Sequence, residues 1–411
     1  MACQSIRQLS GKNQIKKQLD QNNLGQHFNG LALYDPLTSE WLLEKNSDKY
    51  FTPASNVKLL SLYAGIMLLK DSIPGILYQY RGDSLFIRGA GDPTFLHPDF
   101  IEQKIYTFLS EHDGPIILVP DHLSSKPFGP GWSWDDYQYR FQPERSELPI
   151  YGNVVRVNNE NYPLSVEPEF FFDDVITNGN NRGESRYVDH NIFLLNNKDR
   201  HEQEIPFRTY PELIATLLED TLRKKVLVKE TTIIGVKKYS QASEALYSIM
   251  MKRSDNFYAE QLLIMCSSTF SDTLSVEKTI AYVKNRYLSD LPDQPIWVDG
   301  SGLSRYNLIT PRSQVHLLNK LRNEKGDEWL ASIFPVGGAS GTIKNWYEGN
   351  PMPYVIAKTG TLSNNHNLSG YLKTVSGRTL IFSFMNNNYV VSNGVVKQEM
   401  QEVLQIIRDK F

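Results

Sequence analysis

The segment Thr52-Pro53-Ala54-Ser55-Asn56-Val57-Lys58 stands immediately before an apolar stretch at residues 59–69. This pattern predicts a helix with Thr52 as its N-cap and Pro53 at its first helical position. Serine and lysine three residues apart lie on one face of a helix, one turn from each other. The amine of Lys58 is therefore expected to reach the hydroxyl of Ser55, which makes a nucleophile and base pair.

Two further motifs follow along the chain, Ser254-Asp255-Asn256 and Lys358-Thr359-Gly360. The set S-x-x-K, S-D-N and K-T-G is typical of penicillin-binding proteins and class A β-lactamases. Each motif alone is weak, since Ser275-Val276-Glu277-Lys278 and Ser363-Asn364-Asn365 repeat two of the patterns and are interpreted as accidental. Only the first S-x-x-K opens an apolar helix after proline, and K-T-G is expected on a strand. The order and the local context of the three motifs therefore distinguish them from the accidental repeats.

The three motifs supply the groups that an acyl transfer needs. At a helix start the amides lack intrahelical acceptors and the dipole is positive, so the N–H of Ser55 can hold a developing oxyanion. Lys58 can act as a base only when neutral, which requires burial and a neighbouring positive charge such as Lys358. Lys358 is also expected to attract a substrate carboxylate, with the hydroxyls of Ser254 and Thr359 beside it.

The residues that end the third motif are expected to bind an extended substrate. Gly360 has no side chain, so a substrate could lie along the strand by β-augmentation. The N–H of Thr361 would then be the second oxyanion donor. Each motif also has a structural interpretation, as a helix start, a capping turn or a strand end. The catalytic interpretation is preferred because all three match in order and in local setting.

Periodicity predicts where the elements and domains lie. Strands are expected at residues 27–34, 41–44, 354–357, 367–374 and 379–386, and helices at 211–223, 245–266, 276–287, 311–322 and 396–409, with a weak helical period at 12–22. Because strands at both ends enclose helices, residues 1–70 and 240–411 are expected to build one α/β (α+β) catalytic domain with a largely antiparallel sheet. Residues 71–239 are expected to form an inserted, β-rich region of one or two smaller domains.

Composition excludes several classes of protein. Of 411 residues, 40% are hydrophobic and 22% charged, which is typical of a soluble globular chain. Lysine and arginine number 43 against 46 aspartate and glutamate, so the net charge of −3 creates no field that favours nucleic acid. The longest nearly apolar run, residues 59–69, is about half of the roughly 20 residues that cross a bilayer.

The N-terminus as written, Met-Ala-Cys-Gln, carries no signal peptide. Either the protein is cytosolic, or the chain is a mature form whose export signal was removed. Cys3 favours the second interpretation, since bacterial lipoproteins begin at a cysteine, and it predicts a lipid anchor there. With only Cys3 and Cys266 no disulfide framework is expected, and Cys266 is interpreted as a buried core residue.

Several motifs of other enzyme classes are absent from the sequence, namely H-E-x-x-H, C-x-x-C, the P-loop and G-x-S-x-G. Gly89-Ala90-Gly91-Asp92-Pro93-Thr94 begins like a dinucleotide loop, but it lacks the third glycine and Pro93 would stop the helix, so a turn is expected. The eight histidines have no metal-ligand spacing. No metal and no cofactor is therefore expected.

The sequence resembles the serine D-Ala-D-Ala carboxypeptidases of the low-molecular-mass (class C) penicillin-binding proteins, peptidase family S13, a branch that includes endopeptidases with large insertions. Six segments carry the resemblance, in that family's order: Thr52-Pro53-Ala54-Ser55-Asn56-Val57-Lys58, Gly89-Ala90-Gly91-Asp92-Pro93-Thr94, Gly129-Pro130-Gly131-Trp132, Ser254-Asp255-Asn256-Phe257-Tyr258-Ala259-Glu260, Asp299-Gly300-Ser301-Gly302-Leu303-Ser304 and Lys358-Thr359-Gly360-Thr361-Leu362. The long interval from Ser55 to Ser254 fits a member with inserted domains better than a compact class A β-lactamase.

The resemblance implies a penicillin-binding, β-lactamase-like transpeptidase domain, with a five-stranded, largely antiparallel sheet flanked by helices. It implies that Ser55 forms an acyl-enzyme with the penultimate D-Ala, that Lys58 takes its proton and that Ser254 relays it to the leaving amine. Asn256 is expected to bond Lys58 and the substrate amide. By the same resemblance, Lys358 and its neighbour Thr359 hold the carboxylate.

The partners implied by the resemblance are peptidoglycan stem peptides or cross-bridges, with β-lactams as inhibitors that acylate Ser55. No E-x-x-L-N segment is present, so fast penicillin hydrolysis is not expected. The family works outside the cytoplasmic membrane, which favours a periplasmic or cell-envelope location and a removed signal. The insert departs from the family, because Ser146-Glu147-Leu148 stands where Ser-Ala-Leu is usual.

Two other functions remain as alternatives. The same constellation could serve a β-lactamase or esterase, or the chain could be a non-hydrolytic sensor of penicillin or muropeptides. Carboxypeptidase and endopeptidase activities share one chemistry and differ only in the leaving group, so the sequence leaves both open, as it does the oligomeric state.

Overall fold

The computed structural model describes residues 2–21, 24–120, 122–160, 164–177, 185–195, 201–349 and 352–411, with side chains from residue 8 onward. Its helices are α1 Ala2–Asp20, α2 Lys58–Leu68, α3 Lys104–Ser110, α4 Pro211–Leu222, α5 Ser243–Arg253, α6 Asn256–Ser267, α7 Val276–Tyr287, α8 Pro311–Ile333 and α9 Asn393–Lys410. Its strands are β1 Phe28–Asp35, β2 Glu40–Lys45, β3 Ser72–Arg81, β4 Ser84–Gly89, β5 Ile116–Leu118, β6 Val154–Asn158, β7 Ser165–Glu167, β8 Val175–Thr177, β9 Phe193–Leu195, β10 Gln203–Pro206, β11 Val226–Val228, β12 Val236–Ala242, β13 Val355–Leu362, β14 Asn365–Lys373 and β15 Thr379–Asn387.

The chain divides into two compact units. Unit 1 comprises Met1–Tyr63, Tyr247–Asp255 and Ile280–Phe411, and unit 2 comprises Ala64–Leu246 and Asn256–Thr279. The whole predicted insert, residues 71–239, lies in unit 2, which also takes residues 256–279. The domain boundaries at residues 70 and 240 stay a prediction.

Unit 1 is built on a five-stranded sheet in the order β13-β14-β15-β1-β2. Every neighbouring pair in it is antiparallel. Strands β14 and β15 are buried along nearly their whole length, because helices cover the sheet. Ile15 of α1 and Leu404 of α9 pack into one core with Leu33 of β1. The hydroxyl of Tyr371 on β14 donates to the carbonyl of Leu318 in α8. The predicted fold class is confirmed.

Helix α1 starts earlier than the weak period at residues 12–22 predicts, at Ala2. Ile15 and Leu19, one turn apart, are buried on its inner side. The proposed anchor residue Cys3 has its backbone in this helix, and its side chain lies outside the described residues. Within the described ranges, no helix combines the length and the apolar character that a bilayer crossing requires.

The segment predicted to start a helix at Thr52 folds differently. Ala54–Val57 form a 3-10 turn with Pro53 at the N-cap position and no side-chain cap, and α2 begins only at Lys58. The prediction of Thr52 as N-cap is therefore wrong. The physical reason lies at Ala54, whose φ of 48° is outside the right-handed helical region, so that no helix can continue back through it.

The helix predicted at residues 245–266 is two helices, α5 and α6. Ser254 between them has φ 62°, and the N–H of Asp255 donates to the carbonyl of Met250 over 3.1 Å. Serine and aspartate compete with helical hydrogen bonds through their own side chains, which favours a break here. Both helices bury apolar residues, so the apolar period of the sequence continues across the break and predicts a single helix.

Unit 2 holds a five-stranded sheet in the order β11-β5-β4-β3-β12, a three-stranded sheet β10-β6-β7 and the pair β8-β9. Strand β5 runs parallel to both of its neighbours, and the other pairs of the larger sheet are antiparallel. Leu217 and Leu218 of α4 pack into its core with Ile116 of β5. Helix α4 ends at Leu222 because Arg223 adopts a left-handed φ of 53°.

Candidate active site

The S-x-x-K pair meets in unit 1, in the 3-10 turn that precedes α2. Lys58 Nζ donates to Ser55 Oγ over 2.9 Å, as the spacing predicts. It also donates to the carbonyl of Ser301 over 2.6 Å. The side chain of Lys58 is fully buried, whereas Ser55 is only half-buried. A reacting group can therefore approach the serine while the lysine stays out of water.

The turn that carries Ser55 is held by two asparagines of the sheet. Asn387 Oδ1 accepts the N–H of Thr52 over 2.7 Å, and Asn367 Nδ2 donates to the carbonyl of Thr52 over 3.0 Å. These bonds fix the chain just before Ala54, whose left-handed φ costs roughly 1 kcal/mol and persists only when its surroundings impose it. Neither asparagine belongs to a motif of the sequence, although a buried Asn in a strand is a signal.

A loop at residues 299–304 supports Lys58 from the other side. The carboxylate of Asp299 accepts the N–H groups of Gly302 and Ser304 over 2.9 and 2.7 Å, which shapes the loop. Its neighbour Gly300 accepts the Ser61 hydroxyl of α2 over 2.7 Å. A Cβ on Gly302 would lie 2.0 Å from the Ala54 carbonyl, so only glycine allows this approach. Residues 299–304 stand out as a motif in the sequence. The contact of Lys58 with the Ser301 carbonyl could not be predicted, because every residue has a backbone carbonyl.

Lys358 on β13 is joined to the second motif. Its Nζ donates to Ser254 Oγ and to the carbonyl of Thr359, each over 2.7 Å. Burial, and then the positive charge of Lys58, lower the pKa of Lys358 well below its ordinary value. The sequence predicts that the charge of Lys358 favours a neutral Lys58, and in the structure the charge of Lys58 favours a neutral Lys358.

Ser254 is placed by the break between α5 and α6. Its left-handed φ of 62° is uncommon for a residue other than glycine, asparagine or aspartate. The bond from Lys358 is one of the contacts that hold this conformation. Strained backbone of this kind is found at functional sites more often than elsewhere.

The remaining residues of the third motif pack against the Ser55 turn. Asn56 Nδ2 donates to the carbonyl of Lys358 over 3.1 Å. A Cβ on Gly360 would lie 2.3 Å from the Pro53 carbonyl. The structure thus explains Gly360 differently from the sequence. The Ser55 turn, and not a substrate, occupies the space where a side chain would lie. Thr359 Oγ1 donates to Thr342 Oγ1 over 2.7 Å.

The structure places Thr361 near the end of β13 and Asn256 at the start of α6. Thr361 lies exposed near the end of β13 and shares a hydrogen bond of 2.7 Å with His366. Asn256 begins α6 in unit 2, where its Nδ2 donates to the carbonyl of Phe141 over 2.9 Å. The predicted bond from Asn256 to Lys58 stays a prediction.

The two repeated motifs have structural roles, as their accidental interpretation implies. Ser275 Oγ accepts the N–H of Lys278 over 3.1 Å and donates to Glu277 over 2.8 Å, so it caps α7. Lys278 Nζ is directed to Ser271 Oγ at 3.4 Å. Ser363 and Asn364 form the turn between β13 and β14, with Asn364 at φ 65°, and Asn365 begins β14.

The arrangement in unit 1 can perform acyl transfer. The half-buried hydroxyl of Ser55 is hydrogen-bonded to the buried amine of Lys58. The amine of Lys358 is hydrogen-bonded to the hydroxyl of Ser254. Among the described residues, no group of three or more histidine, cysteine, aspartate or glutamate side chains is placed to hold a metal ion. Cys266 is buried, and burial raises the pKa of its thiol, which makes it a poor nucleophile.

Comparison with known proteins agrees with this chemistry. The D-Ala-D-Ala carboxypeptidase 3 (S13) family profile matches residues 11–171 and 215–410. The D-alanyl-D-alanine carboxypeptidase of Actinomadura sp. (strain R39) is 42% identical over 425 residues, which cover 88% of this chain and 78% of the relative. The solved structure of penicillin binding protein 4 (dacB) from Haemophilus influenzae has a TM-score of 0.78 at 20% identity, covering 96% of this chain and 99% of that chain.

A second solved structure of the Haemophilus protein, described as complexed with a novel β-lactam, has a TM-score of 0.70 at 19% identity, covering 97% of this chain and 99% of that chain. At such identities these two structures show a common fold. The family match extends over most of the chain, including all three motifs. The chain therefore belongs to the D-Ala-D-Ala carboxypeptidase 3 (S13) family.

Proposed function

We propose that the protein is a serine-type D-Ala-D-Ala carboxypeptidase or DD-endopeptidase that acts on peptidoglycan peptides through an acyl-enzyme on Ser55. The observation that carries the proposal is the 2.9 Å contact between Lys58 Nζ and Ser55 Oγ, with the amine fully buried. Burial disfavours the charged form of an amine, so the proton acceptor is available to the hydroxyl. A solvated Lys58 would be protonated and could not take the proton.

The reaction runs in two halves. Ser55 Oγ attacks the carbonyl carbon of the penultimate D-Ala while its proton passes to Lys58. The peptide C–N bond then breaks, and the leaving amine receives a proton through the hydroxyl of Ser254. Water hydrolyses the resulting ester and restores the serine. The N–H groups of Ser55 and Thr361 are the donors proposed to hold the oxyanion of each tetrahedral intermediate.

The substrate carboxylate is proposed to bind at Lys358 and Thr359, with Asn256 bonding the substrate amide. In the free protein, Lys358 Nζ donates to Ser254 and is discouraged from carrying its charge. An incoming carboxylate favours the charged amine again, since opposite charges within a few ångströms stabilise each other. We therefore expect Lys358 to become protonated when the substrate carboxylate binds.

Two consequences concern partners and location. β-Lactams present an acyl group and a carboxylate in the arrangement of D-Ala-D-Ala, so we expect them to acylate Ser55 and inhibit. Peptidoglycan lies outside the cytoplasmic membrane, so the enzyme is proposed to work in the periplasm or cell envelope. Lipid attachment at Cys3 is part of this proposal, and fatty-acid labelling of the wild type against Cys3→Ser in cells tests it.

The function is tested with a D-Ala-D-Ala pentapeptide, a cross-linked muropeptide dimer and penicillin. Wild type is expected to release D-Ala or to cut the dimer, and to gain the mass of one penicillin on Ser55. Ser55→Ala should lose all three properties. Ser275→Ala is the matched control, because it removes the serine of the second S-x-x-K and costs only a helix cap, about 1 kcal/mol.

The outcomes distinguish the alternatives. Release of D-Ala marks a carboxypeptidase, and dimer cleavage an endopeptidase. Rapid return to the unmodified mass after penicillin marks a β-lactamase. A lasting adduct without any cleavage marks a sensor. The proposal is wrong if wild type neither cleaves these peptides nor becomes acylated on Ser55.

A further inference from the structure

His366 lies opposite Thr361 across the first hairpin of the sheet in unit 1. The two residues are partners in the antiparallel ladder of β13 and β14. Thr361 Oγ1 and His366 Nδ1 share a hydrogen bond of 2.7 Å. Thr361 is exposed, whereas the imidazole is fully buried. An exposed residue next to the active-site motif is thus hydrogen-bonded to a fully buried ring.

The other side of the ring is enclosed. His366 is paired with Asn386 on β15, and Asn386 Oδ1 bonds His27 Nε2 over 3.0 Å. Among the residues that the structure describes, His366 Nε2 has no hydrogen-bond partner. The bond to Thr361 is therefore made by Nδ1, and Nε2 contributes nothing to it.

The ring is held neutral by its surroundings. Burial, followed by the positive charges of Lys397 on α9 and Lys358 on β13, lowers the pKa of His366 to about 3. A neutral imidazole has one N–H and one acceptor nitrogen, and a hydroxyl can pair with either. The neutral ring can therefore share this hydrogen bond with Thr361 as donor or as acceptor.

The position of Thr361 makes this bond relevant to the reaction. Strand β13 is the outer strand of its sheet, and it carries Lys358, Thr359 and Gly360 just before Thr361. Strand ends at a sheet edge open more readily than central strands. A threonine at such an end would populate several χ1 rotamers unless a partner selects one.

We propose that His366 is a positioning residue for the reaction, which fixes Thr361 and with it the end of β13 along which the substrate is expected to lie. This inference rests on the proposed function. The sequence gives no role to His366, because the histidines have no metal-ligand spacing and each is interpreted as a surface or core residue. The alternative is that the ring only fills space beneath the hairpin.

The test uses the geometry of the ring. Asparagine places its amide where Nδ1 lies, whereas glutamine places it where Nε2 lies. His366→Asn should therefore keep kcat within about threefold of wild type, because it can still pair with Thr361. His366→Gln and His366→Leu should lower kcat roughly tenfold with little change in KM, since a loosened oxyanion donor affects the transition state more than binding.

Thr361→Val provides the same test from the other partner, because it keeps the shape of the side chain and removes the hydroxyl. It should lower kcat to the level of His366→Leu, and the double variant should be no worse than either single one. Should His366→Leu fail to fold, Thr361→Val and His366→Asn still decide the question.

The proposal is overturned if folded His366→Leu and Thr361→Val keep the wild-type kcat, or if their effects on kcat simply multiply in the double variant. A deficit in His366→Asn as large as in His366→Leu would mean that only the ring volume matters. These outcomes differ from failure of the proposed function, in which wild type itself releases no D-Ala and forms no penicillin adduct on Ser55.

Discussion

The charge on Lys358 is governed by what lies beside its amine. In the free protein, burial and the charge of Lys58 lower the pKa of this amine well below its ordinary range. A bound carboxylate raises it again. Between these two pKa values the complex holds one proton more than the free protein, so binding takes up a proton and weakens as the pH rises.

This uptake is measurable by titration calorimetry of Ser55→Ala with an acetylated D-Ala-D-Ala peptide in buffers of different ionisation enthalpy. We expect net proton uptake, with affinity falling up to about tenfold per pH unit above the pKa of the free site. The same peptide with a C-terminal amide is the control and should show neither effect. Proton release, or equal pH slopes for acid and amide, would contradict the role given to Lys358.

His366 makes a second pH-dependent contribution, to stability rather than binding. Its pKa is about 3 in the folded protein against 6.5 as a model value. Between these values the unfolded chain binds a proton that the folded chain does not, so stability falls as the pH falls through this window. The slope is about 1.4 kcal/mol per pH unit. Urea unfolding of His366→Asn should show a shallower pH dependence between pH 6.5 and 4 than wild type, and equal slopes would refute this.

At the scale of the element, the loop at residues 299–304 is expected to set the shape of the turn that carries Ser55. Gly302 has φ 85° and a Cβ there would lie 2.0 Å from the Ala54 carbonyl. Gly377 offers a matched control, because its φ is 87° and a Cβ there would meet nothing within 4 Å. The two glycines differ in the clash and not in the backbone conformation.

Gly377→Ala should destabilise the protein by about 1 to 2 kcal/mol, because a left-handed φ is unfavourable for alanine. Gly302→Ala should destabilise it further, because its Cβ also clashes with the Ala54 carbonyl. Only Gly302→Ala should also displace the Ser55 turn, and it should lower kcat/KM about a hundredfold, as small misplacements of a nucleophile do. Thermal unfolding and D-Ala release measure the two effects. Equal activities of the two variants would show that the loop does not shape the turn.

At the scale of the molecule, unit 2 carries a destabilising carboxyl. Asp92 is fully buried, and burial raises its pKa to about 6 from 3.8, partly offset by hydrogen bonds with Ser240 and Thr94. Since the folded pKa lies above the unfolded one, this group lowers stability progressively as the pH rises from 3.8 to 6. Above pH 6 its ionisation costs about 3 kcal/mol.

Asp92→Asn should therefore raise the unfolding temperature by several degrees at pH 7.5 and change it little at pH 4. Differential scanning calorimetry at both pH values measures this. Asp113→Asn, at an exposed aspartate of the same unit, controls for the loss of one negative charge. A gain that is the same at both pH values would show that ionisation of Asp92 is not the cause.

The elements of unit 1 were largely predictable, since hydrophobic period and turn residues are local properties. The strand pattern at both ends of the chain predicted the antiparallel sheet, and α7 has the predicted bounds, residues 276–287. The failures occurred where tertiary contacts impose a conformation against local preference. Ala54 and Ser254 have positive φ values that the residue types do not announce, and each shifted or broke a predicted helix.

The sequence by itself determined the nucleophile and base pair, because three residues of spacing bring Ser55 and Lys58 together within a single turn. Only the tertiary structure decided the rest of the site. Lys358 meets Ser254 across 104 residues, and Asn367 reaches Thr52 across 315. Such contacts depend on strand register and on burial, which sum over the whole fold. For the same reason the lowered pKa of Lys358, and the bond of His366 to Thr361, could not be inferred from the order of the residues.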